Sequence, residues 1–448
     1  MSRIFFWGQF LERMSLESLA KNQVDRLNEV GRLVSNFNNV FDLAQLLEKI
    51  LASARALTKC EAGTIYLARA GRLVFAQSQN DYLDRIVNDP SDLPFFNRDI
   101  EINRSTLAGY VALERRPLTI NDTSSIHPEA PYQHFTGFDS ESSYVCQAIM
   151  TLPLSTSGSD PLGVLQLINP LGDDGLLTCF SDEDERILTF FGDFAAQAIE
   201  KSLTMGSAIT HNVEIISSQD PLETRAHATR VATIATAIYD HWSKKHGVKE
   251  ETRLRALNLL PLAAMLHDVG KIYVPKRVLT KPGRLDPKER ILMENHVIAG
   301  AKMYGDAFTP LDEIIRSIIL DHHERWDGQG YPGRAAGSDE MPKLIQGKKG
   351  EEISLFGRIV AVADVYDALS NYRTYKKAFD QTLALQIIEQ ESGRHFDPQV
   401  VESFMAIKPQ LNRIKAQYPD PPLEEMTQKI EKDRARDAEE QKEETGEN

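Results

Sequence analysis

A chain of 448 residues, 42% hydrophobic and 26% charged, holds material for two or three domains with proper cores. Its net charge of -14 excludes bulk-charge binding to polymeric nucleic acid or anionic membranes, so an anionic substrate needs local positive charge from metals or a few placed Arg and Lys. No apolar run approaches the roughly 20 residues of a membrane span.

The opening Ile4-Phe5-Phe6-Trp7 cluster lacks a signal-peptide cleavage pattern. The cysteines Cys60, Cys146 and Cys179 match no zinc or redox spacing. A reducing, cytoplasmic setting with buried thiols is the expectation. Residues 1–39 form an N-terminal helical segment. Ala20, Val24, Leu27 and Val34 give an apolar 4-3 spacing, read either as a pairing face for a second copy or as packing on the same domain.

Residues 40–200 read as α+β. Phe41 to Leu57 is an amphipathic helix. Two strands, from Gly63 and from Arg72, form a hairpin joined near Ala70-Gly71. A short helix at Leu107–Leu113 precedes a strand at Pro117–Ile120. Strands at Ala148–Leu154 and Gly163–Asn169 follow. A long helix starts after Ser181, a good N-cap with acidic residues in the first turn. Ile187, Phe190, Phe191, Phe194, Ala198 and Leu203 mark its apolar side. Residues 201–216 are a connecting helix, read as a signalling connector, a dimer coiled coil or a simple linker.

This order resembles a GAF domain, a small-molecule sensor and dimerisation module. The resemblance is carried by Gly63–Leu67, Gly109-Tyr110-Val111, Leu162–Asn169, Phe180 and Asp184-Glu185. It implies an unidentified small-molecule ligand and a homodimer. The cyclic-nucleotide-binding branch has Asn-Lys where this chain has Asn169-Pro170, which counts against that ligand. No His adjoins Cys146, which counts against bilin attachment.

Residues 217–418 are almost wholly helical, interrupted by Gly- and Pro-rich stretches at 327–350. Residues 419–448 are a charged tail, read as solvated helix or disorder. The helical stretch also concentrates metal-ligand chemistry. His267-Asp268 ends an apolar run, where both side chains are costly to bury unsatisfied. Glu223 and His227, four apart, share a helix face. His296, His322 and His323 follow, then Asp364 within an apolar helix. Singly, each His has a plain structural reading, and His322-His323 suits a helix C-terminus. Together, imidazoles and carboxylates without thiolates suit octahedral Fe or Mn rather than structural zinc.

Two divalent ions would outweigh Asp268 and Asp364, leaving positive charge to hold a phosphodiester and lower the pKa of a water between them. Glu223 either trims that surplus or holds a third ion. Lys271 is placed to neutralise a phosphate oxygen or leaving alkoxide. Arg373 and Lys376 are placed to grip a second phosphate. Asp367 would accept hydrogen bonds from a guanine edge or orient a ligand.

In this order the residues resemble the HD-GYP subfamily of HD-domain metallophosphohydrolases, bacterial enzymes that hydrolyse cyclic di-GMP. The resemblance runs from Asp220-Pro221 and Thr229-Arg230-Val231 through His267–Ile272, His296, His322–Pro332 and Arg358–Leu369. It ends at Arg373–Ala378 and Gly393–Pro398. It implies metal binding by His227, His267, Asp268, His296, His322, His323 and Asp364. It implies a third metal where Glu223 is present; Asp268 and Lys271 are the expected catalytic residues. Gly330-Tyr331-Pro332 is implied to line the site or dock protein partners. Asn371-Tyr372 and Thr374 depart from the usual pattern, which bears on substrate grip. The expectation is a multidomain protein: an α+β GAF-like sensor, a long helix, and an all-α HD-GYP domain holding two or three divalent ions. It would open cyclic di-GMP to pGpG, with either pGpG or GMP as the final product. The alternatives are another substrate such as cyclic GMP-AMP, or a ligand-reading adaptor without turnover.

Overall fold

The computed structural model of the chain describes residues 25–35, 37, 40, 42–83, 99–133, 144–156, 160–306, 308–333, 347–371, 379–422 and 424–432. The chain divides into two compact units, Met1–Met205 and Gly206–Asn448. The Ile4–Trp7 cluster, Arg373 and Lys376 lie outside the described residues.

In the first unit, helix α1 (Leu43–Thr58) is capped by Asp42, whose side chain accepts from the Gln45 amide. It buries Leu46, Leu47, Ile50, Leu51 and Ala54. The strands are β1 (Cys60–Arg69), β2 (Arg72–Asn80) and β3 (Ile100–Glu101). After helix α2 (Leu107–Glu114) come β4 (Leu118–Ile120), β5 (Ile149–Leu154) and β6 (Gly163–Pro170). They form one antiparallel sheet ordered β3-β2-β1-β6-β5-β4. The expected hairpin is present: Arg69 pairs with Arg72, and Ala70 and Gly71 both carry positive φ, as a tight two-residue hairpin turn requires.

Helix α3 spans Asp182–Gln219. Ser181 caps it reciprocally: its hydroxyl accepts from the Asp184 amide, and Asp184 accepts from the Ser181 amide. Its buried face differs from the expected one. Leu188, Phe191, Ala195, Ala196 and Ile199 are fully buried, whereas Phe190 is 43% exposed. Phe190 sits one position off the stripe that meets the sheet core, and its ring packs edge-on to Phe194 instead. Within the helical stretch 25–35, Val30 joins the core of the same unit and Arg26 bonds Asp184. That favours packing on its own domain, although Leu27 is 47% exposed. Cys60 and Cys146 are buried and Cys179 is exposed, which corrects the expectation of three buried thiols. Among the described residues, no helix is long and apolar enough to cross a membrane.

The second unit is helical. Helix α4 (Arg225–Lys245) packs on α5 (Glu250–Ala264). A 3-10 turn (Val269–Tyr273), α6 (Lys276–Leu279), α7 (Pro287–Glu294) and α8 (His296–Met303) follow. Then come α9 (Pro310–Asp321), α10 (Leu355–Ser370), α11 (Gln381–Gln390), α12 (Pro398–Ala406) and α13 (Lys408–Gln417). Helix α9 starts sharply: Thr309 and Asp312 form a capping box with Pro310 at the first position. The charged tail is not wholly solvated. Residues 424–432 are helical, and Met426 and Ile430, four apart, bury one face.

Candidate metal centre

Helix ends build the site. His267 follows the end of α5, His296 opens α8, and His322 follows the last residue of α9. Carbonyls at a helix C-terminus have no partner within the helix. All three imidazoles donate to last-turn carbonyls, and those of Ala264 and Ile318 also accept the histidine's own backbone N–H. His267 Nδ1 donates to the Ala264 carbonyl at 2.9 Å and His296 Nδ1 to the Met293 carbonyl at 2.6 Å. His322 Nδ1 donates to the Ile318 and Ile319 carbonyls, both at 3.0 Å. Because a carbonyl only accepts, Nδ1 carries the proton and Nε2 keeps a lone pair. His227, inside α4, reaches the same state through a carboxylate: its Nδ1 lies 2.8 Å from Asp367 Oδ2.

The freed Nε2 atoms converge in two clusters. Glu223, His227 and His267 form one; Asp268, His296, His322 and His323 form the other. Within each, the ligand atoms lie within 4.8 Å of one another. Asp364 joins the first cluster, with Oδ1 3.6 Å from His227 Nε2. Asp268 faces both: Oδ2 is 3.3 Å from His267 Nε2, while Oδ1 is 3.0 Å from His296 Nε2 and 3.5 Å from His322 Nε2. Nε2 of His227, His267, His296 and His322, and Oδ1 of Asp268, are buried without a well-aligned hydrogen bond, although carboxylate oxygens and imidazoles of the site stand 3.0 Å or more away. Buried polar atoms are rarely left so. A divalent ion in each cluster would satisfy all of them, so the residues fit the metal.

The electrostatics ask for a cation. Burial opposes charge on His227, yet Glu223 and Asp367 hold its pKa well above the ordinary imidazole value. Burial likewise opposes charge on His267, but Asp268, Asp364 and Glu223 bring it to about 9. In the second cluster burial wins, and His322 and His323 fall below the ordinary value, remaining neutral ligands. Lys271 is buried among carboxylates, 2.6 Å from Glu223, 2.9 Å from Asp268 and 3.2 Å from Asp220. Burial would lower its pKa, but these neighbours raise it well above the ordinary ammonium value.

Two glycines set the close approaches. A Cβ on Gly270 would stand 1.9 Å from the His296 carbonyl oxygen, so only glycine lets the 3-10 turn bring Asp268 against α8. A Cβ on Gly330 would stand 2.4 Å from the Arg325 amide. That contact seats Tyr331 on His323, ring centroids 4.9 Å apart and nearly parallel. Pro332 is buried behind it. Glu324 pins the loop, accepting from the Gly333 amide at 2.6 Å and the Lys348 amide at 3.0 Å.

Of its two expected roles, Asp367 is placed to orient a ligand, His227, rather than to meet a guanine edge. It is 2% exposed, and both oxygens are engaged by Arg230, one also by His227 and the other by Asn371. It has no free oxygen for a guanine edge. Three further residues had no role in the sequence reading, although Asp220 and Arg230 lie in the motifs it quoted. Asp220 shares Lys271 with the site. Arg230, three residues past His227 on the same helix face, holds Asp367; that spacing was a usable signal. Asp420 holds Arg230 across 190 positions, which no local pattern reveals.

Family comparison matches residues 42–199 to a GAF domain and residues 211–400 to an HD domain. The chain combines a GAF domain with an HD domain. The α+β first unit and helical second unit agree with that pairing. The chain is 37% identical over 226 residues to a cyclic di-GMP phosphodiesterase of Vibrio cholerae, covering 49% of this chain and 43% of the relative. It is 31% identical over 230 residues to one of Thermotoga maritima, covering 51% and 54%. It is 34% identical over 198 residues to a 3'3'-cGAMP-specific phosphodiesterase of Vibrio cholerae, covering 44% and 34%. The match thus spans about half or less of each relative's length.

Gly270→Ala should destabilise the HD domain by about 3 kcal/mol or more, because the clash is with backbone that cannot rotate away. Thermal melting checks this; an unchanged melting temperature would mean that α8 does not approach the turn so closely.

Proposed function

We propose that the HD domain is a metal-dependent phosphodiesterase of the HD-GYP type that opens cyclic di-GMP to pGpG and then GMP, under control of the GAF domain. The observation that carries this is the convergence of four buried imidazole Nε2 atoms, none with a well-aligned hydrogen bond, and Asp268 on two adjoining clusters. The names of the relatives support the substrate class.

His227, His267, Glu223 and Asp364 would hold one ion, and His296, His322 and His323 another, with Asp268 between them. Glu223 supports room for a third ion. Ligands of N and O type suit Fe or Mn. Bound ions would supply Lewis acidity toward a phosphate oxygen and an activated water. The chain's own residues do the rest. Lys271 holds Asp220, Glu223 and Asp268 in fixed relation, and in this reading its ammonium also faces charge developing on the phosphate. Tyr331, stacked on His323, closes one wall and offers an aromatic face to a purine. Gly330 and Pro332 fix that wall. Arg373 and Lys376 would take the second phosphate.

In the GAF domain, a cavity of about 370 Å³ lined by Thr64, Tyr66, Phe75, Ser78, Cys146 and Gln166 supports a small-molecule ligand. Exposed Leu27 and Phe190 support a homodimer, which sedimentation would report as twice the chain mass. We also infer a cytoplasmic setting. Docking of protein partners at the Gly330–Pro332 loop stays part of the proposal.

A second reading, cyclic GMP-AMP as substrate, is favoured by the cGAMP-specific relative. Metal-loaded protein purified without oxygen, offered both cyclic dinucleotides, should cleave cyclic di-GMP faster. Faster cleavage of cyclic GMP-AMP would favour the second reading, and binding without turnover of either would leave an adaptor. Asp268→Ala should lose bound metal and turnover together, by more than the roughly 100-fold typical of an outer-shell loss; retained turnover would remove Asp268 from the centre.

A further inference from the structure

Asp420 lies past the end of α13, yet it reaches the metal centre through two chains of contacts. Arg230 is 2% exposed and spends every N–H of its guanidinium. On one edge, Nε and Nη2 donate to Asp367 at 2.6 and 2.9 Å. On the other, Nη1 donates to Asp420 Oδ1 at 2.9 Å and to the Tyr418 carbonyl at 2.8 Å, while Nη2 reaches Asp420 Oδ2 at 3.2 Å. Asp367 in turn accepts from His227 Nδ1. The second chain is shorter. The Thr224 hydroxyl donates to Asp420 Oδ1 at 3.2 Å and accepts the His227 amide at 3.0 Å, as the N-cap of α4.

We propose that Asp420 is a positioning residue for His227, acting through Arg230 and Asp367 and through the Thr224 cap. The reasoning is geometric. A guanidinium held by one carboxylate alone can pivot about that fork; a second carboxylate on the opposite edge fixes its plane. With Arg230 fixed, Asp367 has one orientation, and that orientation aims His227 Nε2 at Glu223 and Asp364. Histidine ligands are tuned by such outer partners, whose loss typically costs roughly 10–100-fold in metal affinity or activity. The segment after α13, read from sequence as a solvated tail, thereby becomes part of the metal centre's frame. It acts on the carboxylate-rich cluster and leaves the cluster of Asp268, His296, His322 and His323 alone. This inference rests on the metal reading proposed above.

The test compares Asp420→Ala and Asp420→Asn with Lys429→Ala in the full chain. Lys429 Nζ donates to the Ser217 carbonyl at 2.8 Å, so its removal loosens the same segment without touching Arg230. Competition for Mn²⁺ with a chromophoric chelator reads the affinity of each ion, and melting of the metal-free protein reads stability. Asp420→Ala should weaken one ion about tenfold, the low end for an outer-shell partner, and leave the other unmoved. Asp420→Asn, which keeps an acceptor but loses charge, should fall between, and Lys429→Ala should match wild type. Unchanged affinities in either Asp420 variant would overturn the inference, as would an equal loss in Lys429→Ala, which would assign the effect to segment packing. Should Asp420→Ala not fold, Asp420→Asn decides on the same terms. No Mn²⁺ binding by wild type would overturn the metal reading itself; binding by wild type with unaltered variants overturns this inference alone.

Discussion

Each helix that ends beside the site turns last-turn carbonyls toward it, and an imidazole Nδ1–H donates to them at His267, His296 and His322. This one hydrogen bond has two effects. It closes the helix terminus, and it fixes the tautomer that leaves Nε2 as a lone-pair donor facing inward. The ligand geometry and the helix boundaries are therefore the same feature. His227 lies inside a helix whose carbonyls are already bonded, so it needs a carboxylate, and Asp367 supplies it.

That difference divides the centre into unlike halves. Around His227 and His267 the carboxylates Glu223, Asp364 and Asp268 outweigh burial and keep the imidazoles avid for a cation. Around His322 and His323 burial dominates and the rings stay neutral. Asp268 stands between, one oxygen toward each half. Gly270 makes this possible by letting the turn after Asp268 press onto α8. Lys271 then ties Asp220, Glu223 and Asp268 together. A centre with one carboxylate-rich and one imidazole-rich half is suited to polarising a phosphodiester from two sides.

Much of this was legible in the sequence because it is written locally. The hairpin at Ala70-Gly71 and the Ser181 cap each lie within a few residues. The inventory of imidazoles and carboxylates was also visible, since such side chains interrupt apolar runs. What sequence did not reveal depends on contacts across the fold. Asp367 had the chemistry to read a base, but Arg230 and His227 occupy it. Phe190 had the right residue type for a buried stripe but sits one position off the face. The tail's composition signalled solvation, whereas two apolar residues four apart suffice to seat 424–432 and bring Asp420 to Arg230. Arg373 and Lys376 lie outside the described residues, so their part in substrate grip stays with the proposed function.

The central claim is that two clusters of Nε2 and carboxylate oxygen atoms hold divalent ions, with Asp268 shared between them. Anomalous diffraction at the manganese edge, on crystals of the full chain loaded with Mn²⁺, tests it most directly. The account predicts at least two anomalous peaks, one within reach of His227 and His267, the other of His296, His322 and His323, with an oxygen of Asp268 toward each. No peak at either cluster, or a single ion bound elsewhere, would contradict it.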